Sequence, residues 1–220
     1  NKVYKDPPKW IETTLAIDAS VIKFHGRDNV LRYVLTLMNI VGAIYQEQTL
    51  QANIKFVLLK ILFFVRRKDD QVKQGNPKKS LDNVNHWSYN LYQNETKDYK
   101  HDLAIWLTRL DIGGPAGYAP VSGICDPKRS GTLNRDEGFT SAFILAHEIG
   151  HVLGLSHDGD LKKGNTCDED AGLGSVMAPM VAATLSHYFW STCSTWQYHN
   201  AAKHWKCLQD FPTAPNATHI

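Results

Sequence analysis

One twelve-residue segment constrains the fold of this chain more than any other: residues 147–158 read HEIGHVLGLSHD. His147 and His151 are four residues apart, so a helix would place both imidazoles on one face, one turn apart. Gly154 predicts the end of this helix, because glycine accepts the left-handed conformation that turns a chain sharply. The turn would bring His157 back toward the first two histidines. We therefore expect a helix, a tight turn and three imidazoles in one place.

Three histidines at this spacing favour one bound zinc ion with a position left open for water, which is the arrangement of catalytic zinc sites. Glu148 follows the first histidine and projects to the side, where it can contact a zinc-bound water without binding the metal. We predict that Glu148 activates this water as a general base and passes the proton to a leaving amine. A bare H-E-x-x-H pattern arises by chance, but the form H-E-x-x-H-x-x-G-x-x-H is specific for metzincins.

A methionine further along the chain supports this interpretation. Met177 lies in the stretch SVMAP, residues 175–179, where a methionine turn beneath the zinc site is expected. Taken alone, Met177 would be read as ordinary core packing. Because the histidine motif precedes it, we predict the methionine turn.

Asp158, directly after the third histidine, resembles the adamalysin group of metzincins. Other short stretches narrow the resemblance to the ADAMTS metalloproteases: FHG at 24–26, LTLMNIV at 35–41, GYAPV at 117–121, TLN at 132–134 and GSVMAP at 174–179. The chain looks most like the catalytic domain of the procollagen amino-propeptidase branch. The resemblance runs from about residue 10 to residue 212.

The resemblance implies one metalloprotease domain over residues 10–212 with an α/β, metzincin (zincin-like) fold. Such a fold has a twisted, mostly parallel five-stranded sheet with helices. The zinc cleft would lie between an upper subdomain, about residues 10–154, and a smaller lower one, about residues 155–212. Residues 1–9 and 213–220 are expected to be flexible ends.

The resemblance also implies a secreted zinc endopeptidase that hydrolyses extracellular matrix proteins, with procollagen amino-propeptides as the substrate suggested by the branch. It assigns His147, His151 and His157 as zinc ligands and Glu148 as the general base.

A structural calcium site is implied by resemblance alone. It would use Glu12, Asp102, the Cys207 carbonyl and Asp210, and such hard oxygen ligands suit calcium. Without the resemblance, Glu12 and Asp102 would be read as ordinary surface charges.

The four cysteines allow three disulfide connectivities. The resemblance implies Cys125–Cys207 and Cys167–Cys193. Zinc binding by cysteine is disfavoured, because none lies at C-x-x-C spacing and a histidine site is already complete.

The chain departs from the branch at one further cysteine pair, which would fall at Asn85 and Gly131. Both cysteines are absent together, so neither leaves a reactive thiol. We expect two disulfides and a more loosely held segment over residues 79–92.

Composition limits the partners. A net charge of +2 gives no reason to expect nucleic acid binding. The basic stretches 66–68 and 73–79 are interpreted as solvated loops, with a heparin-like matrix contact as the alternative. No apolar run is long enough to span a membrane. The sequons at Asn94 and Asn216 agree with a secreted glycoprotein, and we expect the isolated domain to be monomeric.

Hydrophobic periodicity predicts strands at 10–22, 53–65 and 103–110, a short edge strand near 118–122, and helices at 29–46 and 80–92. The motif helix is expected to be capped by Thr140 or Asp136, and the helix at 80–92 by Ser80. Residues 180–191 are expected to form a wall of the substrate pocket, although their aromatic residues are equally consistent with core packing.

Three functions are compatible with the motif. The first is an active endopeptidase that holds its substrate along the edge strand. The second is a zinc-bearing ADAM/adamalysin-like module whose main role is protein binding. Such modules usually have another residue in place of the glutamate that follows the first histidine, whereas this chain keeps Glu148. The third is another zinc hydrolase such as an amidase, which the methionine turn and the extent of the resemblance disfavour.

Overall fold

The computed structural model describes residues 7–66, 71–181 and 188–220, which form a six-stranded sheet with helices on both faces. The strands are β1 (Lys9–Ile17), β2 (Ile54–Phe63), β3 (Leu103–Thr108), β4 (Gly117–Tyr118), β5 (Gly131–Arg135) and β6 (Thr218–His219). Their order is β4-β5-β3-β1-β2-β6. The four central strands are parallel, and β4 and β6 run antiparallel to their neighbours. The predicted α/β class and mostly parallel sheet are confirmed, but the expected strand number, five, is wrong.

The α-helices of the described residues are α1 (Ala19–His25), α2 (Arg27–Tyr45), α3 (Pro77–Asn94), α4 (Ser141–Val152), α5 (Asp168–Gly172) and α6 (Thr192–Ala201). In β1, Leu15 and Ile17 join the larger core with α2 and α4, whereas Ala16 joins a smaller core beneath α3. This alternation follows from the two-residue period of a strand. All of β3 is buried, as expected of a central strand covered on both faces.

Two predicted boundaries are wrong because capping residues were overlooked. The first strand ends at Ile17 rather than residue 22, since the Asp18 carboxylate accepts hydrogen bonds from the backbone N–H groups of Ser20 and Val21 and starts α1. Ser80 does not cap α3. Asn76 caps it instead by accepting from the N–H of Lys79 (3.0 Å), with Pro77 in the first turn.

The carboxyl-terminal residues are not the flexible end that we expected over 213–220. Thr218 and His219 form β6 and pair with Leu58 and Val57, and the N–H of Ile220 donates to the carbonyl of Phe56 (3.0 Å). This pairing covers the part of the outer edge of β2 around residues 56–58, which would otherwise expose unpaired backbone groups. The sixth strand therefore comes from a segment with no strong strand pattern.

Some predictions fall wholly or partly outside the described residues: most of the end expected to be flexible over residues 1–9, part of the basic stretch 66–68, and the middle of the pocket wall at 180–191. Lys9, at the edge of that expected end, already belongs to β1. Within the described ranges, none of the helices has the length and apolar character needed to cross a membrane.

The structure pairs Cys125 with Cys207 and Cys167 with Cys193, as the resemblance implied. The segment 79–92, expected to be loosely held, forms most of α3. There Asn85 accepts a hydrogen bond from the Gly131 N–H (2.9 Å) and donates one to the Gly131 carbonyl (3.3 Å). Helix α3 is thus attached to β5 at the two positions where the branch would have cysteines.

Candidate active site

Helix α4 carries the first two histidines of the motif and is buried almost throughout, because it lies between α2, β5 and β4. It begins at Ser141, and neither expected cap forms: Thr140 makes no side-chain capping bond, and Asp136 binds Tyr33 instead. The helix ends at Val152. Gly154 has φ +97°, in the left-handed region, as predicted for the residue that turns the chain.

The turn brings the three histidines together. His157 Nε2 lies 3.1 Å from Nε2 of both His147 and His151. Within the described part of the chain, this is the one group of at least three histidine, cysteine or acidic side chains whose ligand atoms all lie within 4.8 Å of one another. The three nitrogens converge as the ligands of one metal ion would.

The other ring nitrogens fix the orientation of two of these imidazoles. Nδ1 of His147 donates to the carbonyl of Val176 (2.8 Å), and Nδ1 of His151 donates to that of Leu155 (2.9 Å). A protonated Nδ1 leaves the Nε2 lone pair free for a metal, which is the usual arrangement around zinc-binding histidines. The donor set therefore fits zinc.

Burial keeps these imidazoles neutral, as metal ligands must be. It lowers the pKa of His147 to about 3, with the neighbouring His151 as the second cause. It also lowers the pKa of His151 to about 4 and lowers that of the half-buried His157.

Glu148 projects from α4 beside the histidines and is 6% exposed. Burial raises the pKa of its carboxyl to about 8, so the group can both accept and release a proton near neutral pH. It lines the same cleft as the three histidines.

Met177, the residue expected to form a methionine turn, lies against Gly150 of the motif helix. It is fully buried, and a side-chain carbon added to Gly150 would lie 2.6 Å from its sulfur. The glycine in the motif thus lets α4 pack closely on Met177. The Met177 carbonyl accepts from the N–H of Asp158 (2.9 Å), which connects the turn to the third histidine.

The Asp158 carboxylate has partners that the sequence did not reveal. It accepts hydrogen bonds from the hydroxyls of Ser175 and Ser191 (both 2.6 Å) and from the Asn165 amide (3.1 Å). These residues follow no fixed spacing from the motif, so only the folded chain brings them together.

A cleft of about 570 Å³ lies above the histidines. One side is formed by residues 115–119, which include β4, and the other by α4 and residues 179–181. Ile144, on α4 about one turn before His147, and Thr140, just before the helix begins, extend the cleft. The predicted edge strand is therefore present, but it is shorter than 118–122 and pairs antiparallel with β5.

Of the pocket wall expected over 180–191, Met180 and Val181 line the cleft, whereas the described residues 188–191 pack into the protein. Trp190 is 2% exposed, and its Nε1 donates to the carbonyl of Ile44 (3.0 Å). Tyr188 contacts Phe143 of α4, with ring centroids 5.6 Å apart. Trp190 is thus a core residue, whereas Tyr188 lies against the helix that lines the cleft.

The acidic residues expected to bind calcium lie close enough to interact, although their oxygens do not converge as tightly as the histidine nitrogens. Burial raises the pKa of Glu12 to about 7, with Asp210 and Asp98 adding to the effect. The pKa of Asp102 is also raised, first by burial and then by Glu12 and Asp210, while a hydrogen bond from the Glu12 N–H opposes this. Among the described residues, no lysine or arginine forms an ion pair with these carboxylates.

Both sequon asparagines, Asn94 at the end of α3 and Asn216 before β6, have exposed side chains. Their positions are compatible with glycosylation.

Comparisons with known proteins agree with the resemblance. Residues 9–212 match the family model described as "Reprolysin (M12B) family zinc metalloprotease". The chain is 48% identical over 205 residues to "A disintegrin and metalloproteinase with thrombospondin motifs 1" from Bombyx mori, covering 93% of this chain and 20% of that protein. For the proteins with the same title numbered 2 and 3 from Homo sapiens, the identities are 47% and 45%, covering 93% and 92% of this chain and 17% of each relative.

The chain thus spans about a fifth or less of these relatives' length. A chain in a solved structure titled "Structure of a chaperone-substrate complex" has the same fold, with a TM-score of 0.59 and 14% identity over 89% of this chain and 34% of that chain. Together with the site formed by the three histidines, the family match shows that the chain belongs to the reprolysin (M12B) family of zinc metalloproteases.

Proposed function

We propose that this chain is a zinc endopeptidase domain whose metal is held by His147, His151 and His157. The observation that carries the proposal is the convergence of three neutral imidazoles beside a buried carboxylate in one cleft. Zinc, when bound, would polarise the scissile carbonyl and lower the pKa of water. This chemistry needs a nearby group to accept a proton, and Glu148 lies in the same cleft.

Glu148 would take the proton of the attacking water and deliver it to the amine that leaves. Its raised pKa supports both roles, because a base that is too weak cannot accept the proton and one that is too strong cannot release it. The low polarity around Glu148 that raises this pKa also strengthens the interaction of the carboxylate with charge that develops nearby.

The backbone of β4 would hold the substrate in an extended conformation. One edge of β4 is paired with β5, which leaves its other edge for a peptide strand. A substrate on that edge would pass over the histidines and Glu148, since residues 115–119 line the same cleft. Two subdomains, about 10–154 and 155–212, would meet at this cleft.

We further propose that the enzyme is secreted and cleaves extracellular matrix proteins, with procollagen amino-propeptides as the first substrates to test. The two disulfides favour an oxidising compartment, and both sequons are exposed. The choice of substrate rests on the resemblance to the procollagen amino-propeptidase branch. Similarity to the thrombospondin-motif metalloproteinases numbered 2 and 3 supports that resemblance. We expect the isolated domain to act as a monomer.

A structural calcium ion would be held by Glu12, Asp102, Asp210 and the Cys207 carbonyl. The fit rests on two buried carboxylates: burial raises the pKa of both Glu12 and Asp102, and the nearby Asp210 raises it further, so a divalent cation would offset both effects. The disulfide from Cys125 would hold the Cys207 backbone in place.

To test this, purified protein is incubated with a denatured extracellular matrix protein under three conditions. These are zinc present, zinc removed by a chelator, and zinc added back. We expect cleavage that the chelator stops and zinc restores. Zinc binding without cleavage of any protein would instead support the alternative of a zinc-bearing protein-binding module.

A further inference from the structure

Gly117 is a point at which edge strand β4 lies directly against Glu148. A β-carbon placed on Gly117 would lie 2.5 Å from Oε1, 2.6 Å from Cγ and 2.8 Å from Cδ of Glu148. Favourable contacts between carbon atoms need about 3.5–4.0 Å. Any side chain at residue 117 must therefore displace the strand or the carboxylate.

Backbone conformation does not explain this glycine. Glycines at Gly113 and Gly114, just before β4, have positive φ angles, but Gly117 does not. It lies in a strand, where glycine weakens the element and often marks the close approach of another group. The close group here is the Glu148 side chain, so the requirement for glycine is steric.

The strand has little freedom to move away. Gly117 is paired with Asn134 of β5, and the N–H of Arg135 donates to the carbonyl of Ala116 (2.7 Å). The Tyr118 hydroxyl donates to the carbonyl of Gly113 (2.7 Å), which holds the loop before the strand.

Helix α4 is equally constrained. Gly150 packs on Met177, and the Tyr45 hydroxyl donates to the carbonyl of Ala146 (2.8 Å). If a side chain were added at residue 117, the strand and the helix would stay in place and the Glu148 side chain would move.

We propose that Gly117 is a positioning residue that sets the location of the Glu148 carboxylate by leaving space for it beneath β4. The contribution to catalysis rests on the proposed function, whereas the steric coupling of the two residues does not. Because Gly117 has no side chain, strand β4, which would bind the substrate backbone, can also lie next to Glu148, the proposed proton acceptor.

The first test is a double-mutant cycle read by thermal unfolding, which does not depend on activity. Gly117→Ala is expected to lower the Tm by roughly 5 °C, as overpacking does. The same change in a Glu148→Ala background should have almost no effect, because the space is then open. Gly172→Ala is the matched control, since an added carbon there meets no atom within 4 Å.

The second test is peptide hydrolysis. Gly117→Ala should lower kcat by about 100-fold, as small displacements of catalytic groups do, while KM changes by less than about threefold and zinc content is kept. Gly172→Ala should leave both constants unchanged.

Three results would overturn the proposal: a kcat for Gly117→Ala equal to that of the control, a loss of Tm that persists in the Glu148→Ala background, or failure of both the single and the double variant to fold. If Gly117→Ala alone fails to fold and the double variant folds, the coupling is supported. Absence of hydrolysis by the unmodified protein would count against the proposed function, and the unfolding cycle would still decide the role of Gly117.

Discussion

Asp158 joins parts of the site that are distant in the sequence. The carboxylate is 1% exposed, and its partners come from the segment before Met177, the loop at Asn165 and the start of α6. Ser191 also caps α6 by accepting from the N–H of Ser194 (3.0 Å), so one cluster fixes the third histidine, the methionine turn and a helix end. The structure thus gives Asp158 a role in holding His157 in place.

The substitution Asp158→Asn tests whether the carboxylate holds His157 in place. The amide keeps the shape but offers one acceptor oxygen instead of two, so a buried hydroxyl loses its partner at a cost of about 2 kcal/mol. We expect denaturant unfolding to show this loss and zinc affinity to fall about tenfold. Asp168→Asn, at an exposed position on α5, is the control. Equal behaviour of the two variants would refute a positioning role for Asp158.

At this scale the sequence predicted the side chains whose role depends on spacing along one helix or turn. His147, His151 and Gly154 lie where helical geometry required them. Asn165 and Gly117 were missed, because their roles depend on contacts between segments that are separate in the sequence. A close approach of a strand to a helix leaves no local pattern beyond a glycine.

Helix α3 shows how one side chain can connect two elements. Asn85 makes two hydrogen bonds with the backbone of Gly131, at the start of β5. A β-carbon on Gly131 would lie 3.0 Å from Asn85 Oδ1, so the glycine leaves space for the amide. The pair therefore holds α3 on the sheet without a covalent bond.

Asn85→Ala is expected to lower the free energy of unfolding by about 2–3 kcal/mol, because it leaves a buried N–H and carbonyl of Gly131 without partners. Asn90→Ala, at an exposed position of the same helix, should change it by less than about 0.5 kcal/mol. Urea unfolding of both variants gives the comparison. A similar effect for both would mean that the amide does not hold α3 on β5.

The long elements were predictable because burial imposes a regular pattern. Helix α2 and strand β2 appear within two residues of their expected bounds. Strand β5 was not located, since Thr132 and Asn134 are buried polar residues and hide the alternation. Strand β6 was not expected at all, because the open edge of β2 rather than local propensity causes it to form.

The acidic residues proposed to bind calcium come from parts of the chain that are far apart in the sequence. Glu12 lies in β1, Asp102 precedes β3, and Asp210 follows the disulfide to Cys125. Burial makes the charged forms of Glu12 and Asp102 unfavourable, and the nearby Asp210 adds repulsion, which a bound cation would offset. The calcium that we propose would therefore stabilise the fold as a whole.

Adding calcium to zinc-saturated protein should raise the Tm by an amount that grows with calcium concentration, as binding to the folded state requires. Asp210→Asn should remove most of this increase. Asp82→Asn, an exposed change on α3, should keep it. A calcium effect that is the same in both variants would exclude Asp210 as a ligand.

Whether the histidine site and Glu148 form a peptidase centre is decided by Glu148→Gln, with zinc content and hydrolysis rate measured on the same sample. Glu169→Gln, an exposed change on α5, is the control. We expect about one zinc per chain in both variants, with hydrolysis reduced at least about 1000-fold only in Glu148→Gln. Hydrolysis by zinc-loaded Glu148→Gln at the rate of the control would show that Glu148 is not the general base.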